Sequence, residues 1–244
     1  MTIVPFTLTG CDFLDSAIDS TLLIEENTKL KSENEALKKE LANLKFSIAF
    51  PDGIINEDCI LNIVDRTVEE GEGDAIQVIG DAEVIINGGT FDGGNTPFGG
   101  AGNTAVWCNG ENAKVIINGG TFTIGGLAEG DIGHIDLIYC SQGTVEINGG
   151  IFMGDDDTVW LLNCKDSPYA EGKASIIVKG GTFINWNPAD CISEGEHTNF
   201  VADGYAVVSE IVNQGTEEEY TLYQVMLASE VPVEPEIPEE PDEF

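Results

Sequence analysis

The sequence predicts a mainly β protein in which an N-terminal α-helical coiled coil precedes a parallel β-helix that ends in a β cap. Three observations carry this prediction: a segment that returns four times, a heptad pattern ahead of it, and strand-like stretches with a different spacing after it. The predicted divisions are an N-terminal segment, the coiled coil, the β-helix, the cap and a Pro- and Glu-rich acidic tail, at residues 1–21, 22–48, 49–198, 199–229 and 230–244.

The segment VIINGGTF at residues 84–91 returns unchanged at 115–122, as VEINGGIF at 145–152 and as IIVKGGTF at 176–183. A fixed period of about 30 residues is typical of solenoids and related arrays. Within each copy, β-branched residues flank a position that holds Ile or Glu, which is the alternation of a strand with one buried face. The outward positions, which we predict to form an apolar interface between protomers, are Ile85, Ile116 and Ile177.

An Asn-Gly-Gly turn follows most of these strands, because glycine accepts backbone angles that other residues avoid. If each copy is one coil, the asparagines stack into a hydrogen-bonded ladder that Lys179 interrupts. The phenylalanines that follow the turns stack as well; they are Phe91, Phe122, Phe152 and Phe183. The predicted turn residues are Asn87, Gly88, Gly89, Asn118, Gly119, Gly120, Asn148, Gly149, Gly150, Gly180 and Gly181.

Coils of about 30 residues with two or three short strands form a parallel β-helix, in which no coil is stable without its neighbours. Upstream strands are predicted at residues 75–80, 105–110, 135–140 and 158–164. With its repeated INGGTF signature, the stretch 60–212 resembles the right-handed β-helix of the pectate-lyase-like superfamily. The resemblance implies inward stacks of asparagine, aliphatic and aromatic side chains. The predicted fold is therefore an N-terminal α-helical coiled coil followed by a right-handed parallel β-helix (solenoid) with a terminal β cap.

Residues 22–48 carry a heptad pattern, with Leu, Asn and Ile at the a and d positions and mostly Glu, Lys and Ser elsewhere. The apolar residues are confined to the a and d positions and form a narrow stripe, or seam, along the helix. A stripe this narrow is typical of a helix buried against a second helix, although a surface helix packed on its own domain is the alternative. Asparagine at a positions fixes the register of a parallel coiled coil and often favours two strands. The predicted oligomerisation residues are Leu23, Asn27, Leu30, Asn34, Leu37, Leu41, Leu44 and Ile48.

The charge distribution argues against two classes of partner. Of the net charge of −34, residues 1–21 carry −3 and residues 22–48 carry none, which leaves −31 for the rest of the chain. A body this acidic repels nucleic acid and anionic membrane. No apolar run approaches the roughly 20 residues that span a bilayer. Solvation of the surface explains the charge, with binding of cations or of a basic partner as the alternative.

The sequence predicts no catalytic residue and no metal site. The one arginine and four lysines of residues 49–229 lie outside recognised motifs, whereas lyases of the resembled superfamily use a basic residue. His134 and His197 are far apart and are expected in loops or at coil edges. The six cysteines lack the short spacing of a zinc site, so we expect free thiols in the core. Ca²⁺ bound by the acidic loops at 71–74 and 155–157 is the one cofactor left open.

The order of these parts is similar to that of a bacteriophage fibre, in which the N-terminus attaches to the virion and a β-helix projects. The resemblance implies a non-enzymatic virion structural protein, a head fibre or decoration protein on the capsid exterior, made in the host cytoplasm. It also implies two partners: a capsid protein bound through residues 1–21, and further copies of the chain. A homotrimer is favoured and a dimer remains open.

Host-surface glycans are a further expected partner of such a fibre. Trp107, Tyr139, Trp160 and Trp186 offer aromatic faces for sugars, although core packing explains them as well. Two alternatives belong to other classes of protein. A bacterial surface lipoprotein with a β-helix binding domain is suggested by the stretch Leu8–Cys11, and a polysaccharide-active enzyme is suggested by the resembled superfamily.

Overall fold

The structure, a computed structural model, describes residues 11–68, 73–94, 103–127 and 133–232, with side chains described from residue 21 onward. The chain divides into two compact units, Met1–Lys45 and Phe46–Phe244. The described part is mainly β, with an N-terminal helix followed by sheets whose strands are mostly parallel. Residues 1–10 of the predicted N-terminal segment and residues 233–244 of the predicted tail lie outside the described residues.

The helices are α1 (Cys11–Ala49), α2 (Asp166–Ala170) and a 3₁₀ turn, Ala228–Glu230. In chain order, the strands of the described residues are β1 (Ile54–Ile55), β2 (Cys59–Leu61), β3 (Val64–Thr67), β4 (Ile76–Ile79), β5 (Glu83–Ile86), β6 (Gly89–Asp92), β7 (Val106–Ile117), β8 (Thr121–Ile124), β9 (Ile135–Ile147), β10 (Ile151–Gly154), β11 (Val159–Cys164), β12 (Ala174–Val178), β13 (Gly181–Ile184), β14 (Tyr205–Val212) and β15 (Tyr220–Leu227).

Helix α1 begins at Cys11, earlier than the predicted start at residue 22, and ends one residue beyond the predicted end. Its Leu-, Lys-, Glu- and Ala-rich sequence favours the helix throughout the heptad segment. Pro51 ends it, because the residue before a proline is driven out of the helical conformation. No helix in the described ranges combines the length and the apolar content that crossing a bilayer requires.

The strands form two sheets. The first contains β1, β2, β4, β5, β7, β9, β11 and β12, and its pairings are all parallel. The second runs in the order β14, β15, β13, β10, β8, β6, β3 and is parallel from β13 to β3. Strands β14 and β15 form an antiparallel hairpin at one edge of this sheet, where the sequence predicts a terminal pair of strands.

Pairing in both sheets joins equivalent positions of successive copies of the repeat. Val115 lies opposite Val84 on one side and Val145 on the other. In the second sheet, Phe122 lies opposite Phe91 and Phe152. The predicted alignment of the copies is therefore confirmed.

The alternation within the strands decides which side chains form the core. The first and third apolar positions of each copy are buried, whereas the middle position is half-buried on the outer face. After the turn, the four phenylalanine rings are fully buried and stack with centroids 5.3, 5.0 and 4.8 Å apart. The predicted phenylalanine stack is confirmed.

Strands β7 and β9 are longer than predicted, because each joins an upstream strand to the repeat strand that follows it. The pairing between them shifts register on both sides of Asn109. Gly110 permits this continuous path, since a Cβ atom there would lie 2.2 Å from the carbonyl oxygen of Gly80.

The asparagine ladder is present, but it faces solvent. Asn118 Nδ2 donates to Asn87 Oδ1 at 2.8 Å, and Asn148 Nδ2 donates to Asn118 Oδ1 at 3.1 Å. The ladder starts one step earlier than predicted, at Asn62, whose Oδ1 accepts from Asn87 Nδ2 at 2.9 Å. The expectation of an inward asparagine stack is wrong, because each ladder asparagine of the repeat follows an inward-facing isoleucine, and successive side chains of a strand alternate. Lys179 interrupts the ladder as predicted and instead pairs with Glu146 at 2.9 Å.

The two turn glycines of each copy are required for different reasons. The second glycine has a positive φ, for example 112° at Gly89 and 113° at Gly150. The first does not, but a Cβ atom there would collide with a carbonyl oxygen of the preceding copy, 2.8 Å away at Gly119 and 2.2 Å away at Gly180. The sequence analysis attributed both glycines to unusual backbone angles. That reason holds for the second glycine of each pair, whereas the first is required by the close approach of the preceding copy.

Candidate functional site

The predicted oligomerisation residues all lie on the surface of α1. The apolar members of the seam are 52–73% exposed, and the two asparagines are exposed as well. Apolar side chains of this size are usually buried in globular proteins. The apolar members are Leu23, Leu30, Leu37, Leu41, Leu44 and Ile48, and the asparagines are Asn27 and Asn34.

The predicted protomer interface is a continuous row on the outer face of the first sheet. Ile85 lies opposite Ile116, and Glu146 lies between Ile116 and Ile177. The three isoleucines are half-buried. The row continues to Ile60, which is 59% exposed and lies opposite Ile85. We call Ile60, Ile85, Ile116 and Ile177 the isoleucine row.

Of the five cysteines whose side chains the structure describes, four occupy core positions. Cys108 and Cys164 each lie opposite Cys140 in the first sheet, and all three are buried free thiols. Cys191 is buried and Cys59 is half-buried, where burial raises the pKa of the thiol to about 11. The expectation of free thiols in the core is confirmed for Cys108, Cys140, Cys164 and Cys191, whereas Cys59 is free but only half-buried.

The described parts of the two acidic loops do not form a cluster that supports Ca²⁺ binding. Asp155, Asp156 and Asp157 are exposed in the loop before β11, and residues 71 and 72 lie outside the described residues. Over the described ranges, no three His, Cys, Asp or Glu side chains come together in a way that could hold a metal ion.

A polar pocket of about 500 Å³ opens on the outer face of the first sheet, and we call it the acidic pocket. Strand β11 pairs with β9 so that Trp160 lies opposite Asp136 and Asn163 lies opposite Tyr139. The loop before β9 adds His134, and the start of α2 adds Asp166. The side chains that define the pocket are His134, Asp136, Tyr139, Trp160, Asn163, Lys165, Asp166 and Ser193.

The aromatic and polar groups of the pocket contact one another closely. The His134 ring stacks on Trp160 with centroids 3.4 Å apart and an interplanar angle of 4°. Its Nε2 lies 3.6 Å from Asp136 Oδ1. Asn163 Nδ2 donates to Asp136 Oδ1 at 3.0 Å and lies 3.4 Å from His134 Nε2. These contacts orient the Asn163 amide, because its oxygen would be repelled by the Asp136 carboxylate.

The remaining polar atom of Asn163 has no partner. The residue is 6% exposed, and its Oδ1 forms no hydrogen bond within the described part of the chain. A buried acceptor left without a donor costs about 1–3 kcal/mol. Asn163 therefore has a buried acceptor that its neighbours in the described structure leave unsatisfied.

The acidic groups around the pocket are perturbed by burial and by one another. Burial raises the pKa of Asp136 to about 6. Burial also raises the pKa of Glu194 to about 7, and the negative charges of Asp166 and Asp136 add to this effect. Glu194 Oε1 accepts from the Cys164 backbone N–H at 2.6 Å, beside the pocket. Burial lowers the pKa of His134. The arrangement can therefore hold a cation or exchange protons near neutral pH.

The histidines and aromatic residues noted in the sequence lie at different places in the structure. His197 lies in a loop with its side chain 83% exposed, 2.8 Å from Asp190, whereas His134 lines the acidic pocket. Tyr139 and Trp160 line the same pocket. Trp186 packs near Phe183, with centroids 6.3 Å apart, and Trp107 packs near Tyr139, with centroids 6.2 Å apart.

The sequence analysis missed Asp136, Asn163 and Glu194 as parts of one site. A signal was present, because Asp136 and Asn163 are polar residues inside otherwise apolar strands. Comparison with protein-family models, with curated proteins and with solved structures finds no match for this chain.

Proposed function

We propose that the chain is a non-enzymatic structural protein that self-associates through a parallel coiled coil in α1 and extends as a right-handed parallel β-helix with a terminal β cap. The exposed heptad seam is the observation that carries this proposal. Its six apolar side chains are more than half exposed on a single helix. Burying one leucine contributes about 1.5–3 kcal/mol, so association would recover a large free energy.

The repeat registers support the β-helix part of the proposal. The strands of the four repeat copies pair with their equivalents in the next copy, and Phe91, Phe122, Phe152 and Phe183 stack at nearly constant spacing. A chain built this way extends by one coil per copy, and each coil is stabilised by its neighbours. The hairpin of β14 and β15 pairs with β13 and would serve as the cap.

The biological setting in this proposal is the exterior of a bacteriophage capsid. In a head fibre or decoration protein, residues 1–21 would bind a capsid protein and the β-helix would project. A trimer is the favoured assembly, as in fibres of this layout, and Asn27 and Asn34 at a positions make a dimer the alternative. This setting rests on the order of the parts along the chain.

Serine at two seam positions tests the self-association. The full chain is expected to have the mass of a trimer by light scattering, and Leu30→Ser with Leu37→Ser is expected to reduce it to a monomer, because two apolar layers of the seam are lost. The matched control, Lys29→Ser with Ala36→Ser, places serine one residue earlier, outside the seam, and should keep the mass. A full chain that is already monomeric would refute the proposal.

The isoleucine row is expected to contribute a second contact between protomers, since exposed apolar patches often mark interfaces. In the full chain, Ile116→Lys should weaken the oligomer about tenfold or more in dissociation constant, because burying an ammonium in an interface is costly even beside Glu146. Ile151→Lys is the control, since Ile151 is 46% exposed in the other sheet. Equal effects of the two changes in sedimentation equilibrium would exclude the isoleucine row as an interface.

A further inference from the structure

We propose that six charged residues beside the heptad seam select the partner that covers it, and that this partner is a second copy of the chain in parallel orientation and in the same register. The inference rests on the self-association proposed above and names the residues that decide its partner and its direction. The six residues, which we call the flanking charges, are Glu26, Glu33, Glu40, Lys31, Lys38 and Lys45.

The flanking charges occupy the two heptad positions on either side of the seam. Relative to the leucines at d, every g position from residue 26 to residue 40 holds glutamate, and every e position from residue 31 to residue 45 holds lysine. All six residues are exposed on α1. Residues at e and g lie along the two edges of a helix–helix interface, where their ion pairs set partner choice and orientation.

A parallel arrangement makes this surface complementary to itself. In such a pair, the g residue of one helix meets the e residue five positions later on the other helix. Every contact of this kind then joins a glutamate to a lysine, and each contact forms twice in a symmetric dimer. The contacts between two copies are Glu26 with Lys31, Glu33 with Lys38 and Glu40 with Lys45. The same contacts arise at each interface of a trimer, so the inference holds for either assembly.

The antiparallel arrangement is disfavoured by the same residues. There g faces g and e faces e, so that glutamate meets glutamate and lysine meets lysine, and like charges placed opposite each other reject a wrong partner. Asn27 and Asn34 at a positions would then face leucines at d, and their amides would lose the partner that the parallel arrangement gives them. The charges therefore select the direction of the helices, and the asparagines select the register.

Contacts within α1 hold the flanking charges only weakly. Glu33 Oε1 lies 3.7 Å from Lys29 Nζ, and Lys38 Nζ lies 3.6 Å from Glu35 Oε1. These four side chains are 55–78% exposed, and exposed pairs of this kind add little to the stability of a helix. Turning Glu33 and Lys38 toward a second helix therefore costs little.

Reversing charge on one flank tests the inference in the full chain. Glu33→Lys with Glu40→Lys should raise the dissociation constant of the oligomer about tenfold or more in sedimentation equilibrium, because opposite charges become like charges at every interface. The control, Glu25→Lys with Glu35→Lys, makes the same change in net charge outside the e and g positions. Each of the two variants also removes one ion pair within α1. The control should change the dissociation constant by less than about threefold, as exposed substitutions usually do.

A compensating variant tests the pairing itself. Adding Lys38→Glu and Lys45→Glu to Glu33→Lys and Glu40→Lys returns the net charge to its native value. It also restores opposite charges across the parallel interface, with the signs exchanged. The dissociation constant should return to within about threefold of that of the native chain, because each pair is attractive again.

The outcomes separate this inference from the self-association on which it rests. A native full chain that is monomeric overturns both. If the native chain associates, but charge reversal on the flank weakens it no more than the control does, self-association stands and the role of the flanking charges is overturned. The same conclusion follows if the compensating variant associates as weakly as the charge-reversed one.

Discussion

Replacing Phe122 with alanine is expected to lower the free energy of unfolding by about 3–5 kcal/mol, the range for removing a buried aromatic ring. The ring is fully buried, and it lies between Phe91 and Phe152 at centroid distances of 5.3 and 5.0 Å. Its loss opens a cavity in the middle of the stack and removes two ring contacts at once. Urea-induced unfolding, followed by circular dichroism at fixed protein concentration, measures the change.

The control for Phe122→Ala is Ile192→Ala, since Ile192 is 62% exposed. Surface changes usually alter stability by no more than about 0.5 kcal/mol. A loss below about 1 kcal/mol for Phe122→Ala would mean that the ring is not at the centre of a packed core. The protein concentration is kept constant, because the stability of an oligomer depends on it.

Gly89→Ala is expected to be the most damaging change in the turns, with a loss of about 2–5 kcal/mol in the free energy of unfolding. A Cβ atom at this position would lie 1.9 Å from the carbonyl oxygen of Val64, and the residue has a φ of 112°. The collision costs about 1–3 kcal/mol as overpacking, and the left-handed backbone adds about 1–2 kcal/mol. The two strands that meet here would have to separate.

Gly172→Ala separates the two costs. Gly172 has a φ of 70°, but no atom lies within 4 Å of the position of its Cβ, so only the backbone angle is penalised. We expect Gly172→Ala to lose about 1–2 kcal/mol. Thermal or urea unfolding of both variants gives the comparison. If Gly89→Ala lowers the free energy of unfolding no more than Gly172→Ala does, the strands do not approach each other closely at this turn.

The heptad seam shows how far local sequence can predict a candidate site. Its eight residues follow from the spacing alone, because side chains four and three apart on a helix lie on one face. The structure places all eight on the surface of α1. What covers the seam does not follow from the spacing, because it depends on a second chain, and the mass measurement decides it.

The acidic pocket shows the opposite case. Its members come from the loop before β9, from β9, from β11 and from the segments at Asp166 and Ser193. The pairing of β11 with β9 brings Trp160 opposite Asp136, whereas the interval between these two residues is shorter than the repeat that the sequence displays. The sequence predicts both upstream strands, at 135–140 and 158–164, but it does not show that the loop before β9 and the segments at Asp166 and Ser193 meet them at one pocket. The altered pKa values of His134, Asp136 and Glu194 depend on burial, which the sequence does not show.

The sequence by itself determined the helical seam, the strand alternation, the alignment of the four copies and the stack of phenylalanines, because each follows from a local period that the backbone imposes on side-chain direction. The tertiary structure alone decided three features: the start of the asparagine ladder at Asn62, the steric need for the first turn glycine, and the acidic pocket. Each of these depends on the distance between atoms of different copies. That distance is fixed by strand register and packing, and a one-dimensional pattern does not encode it.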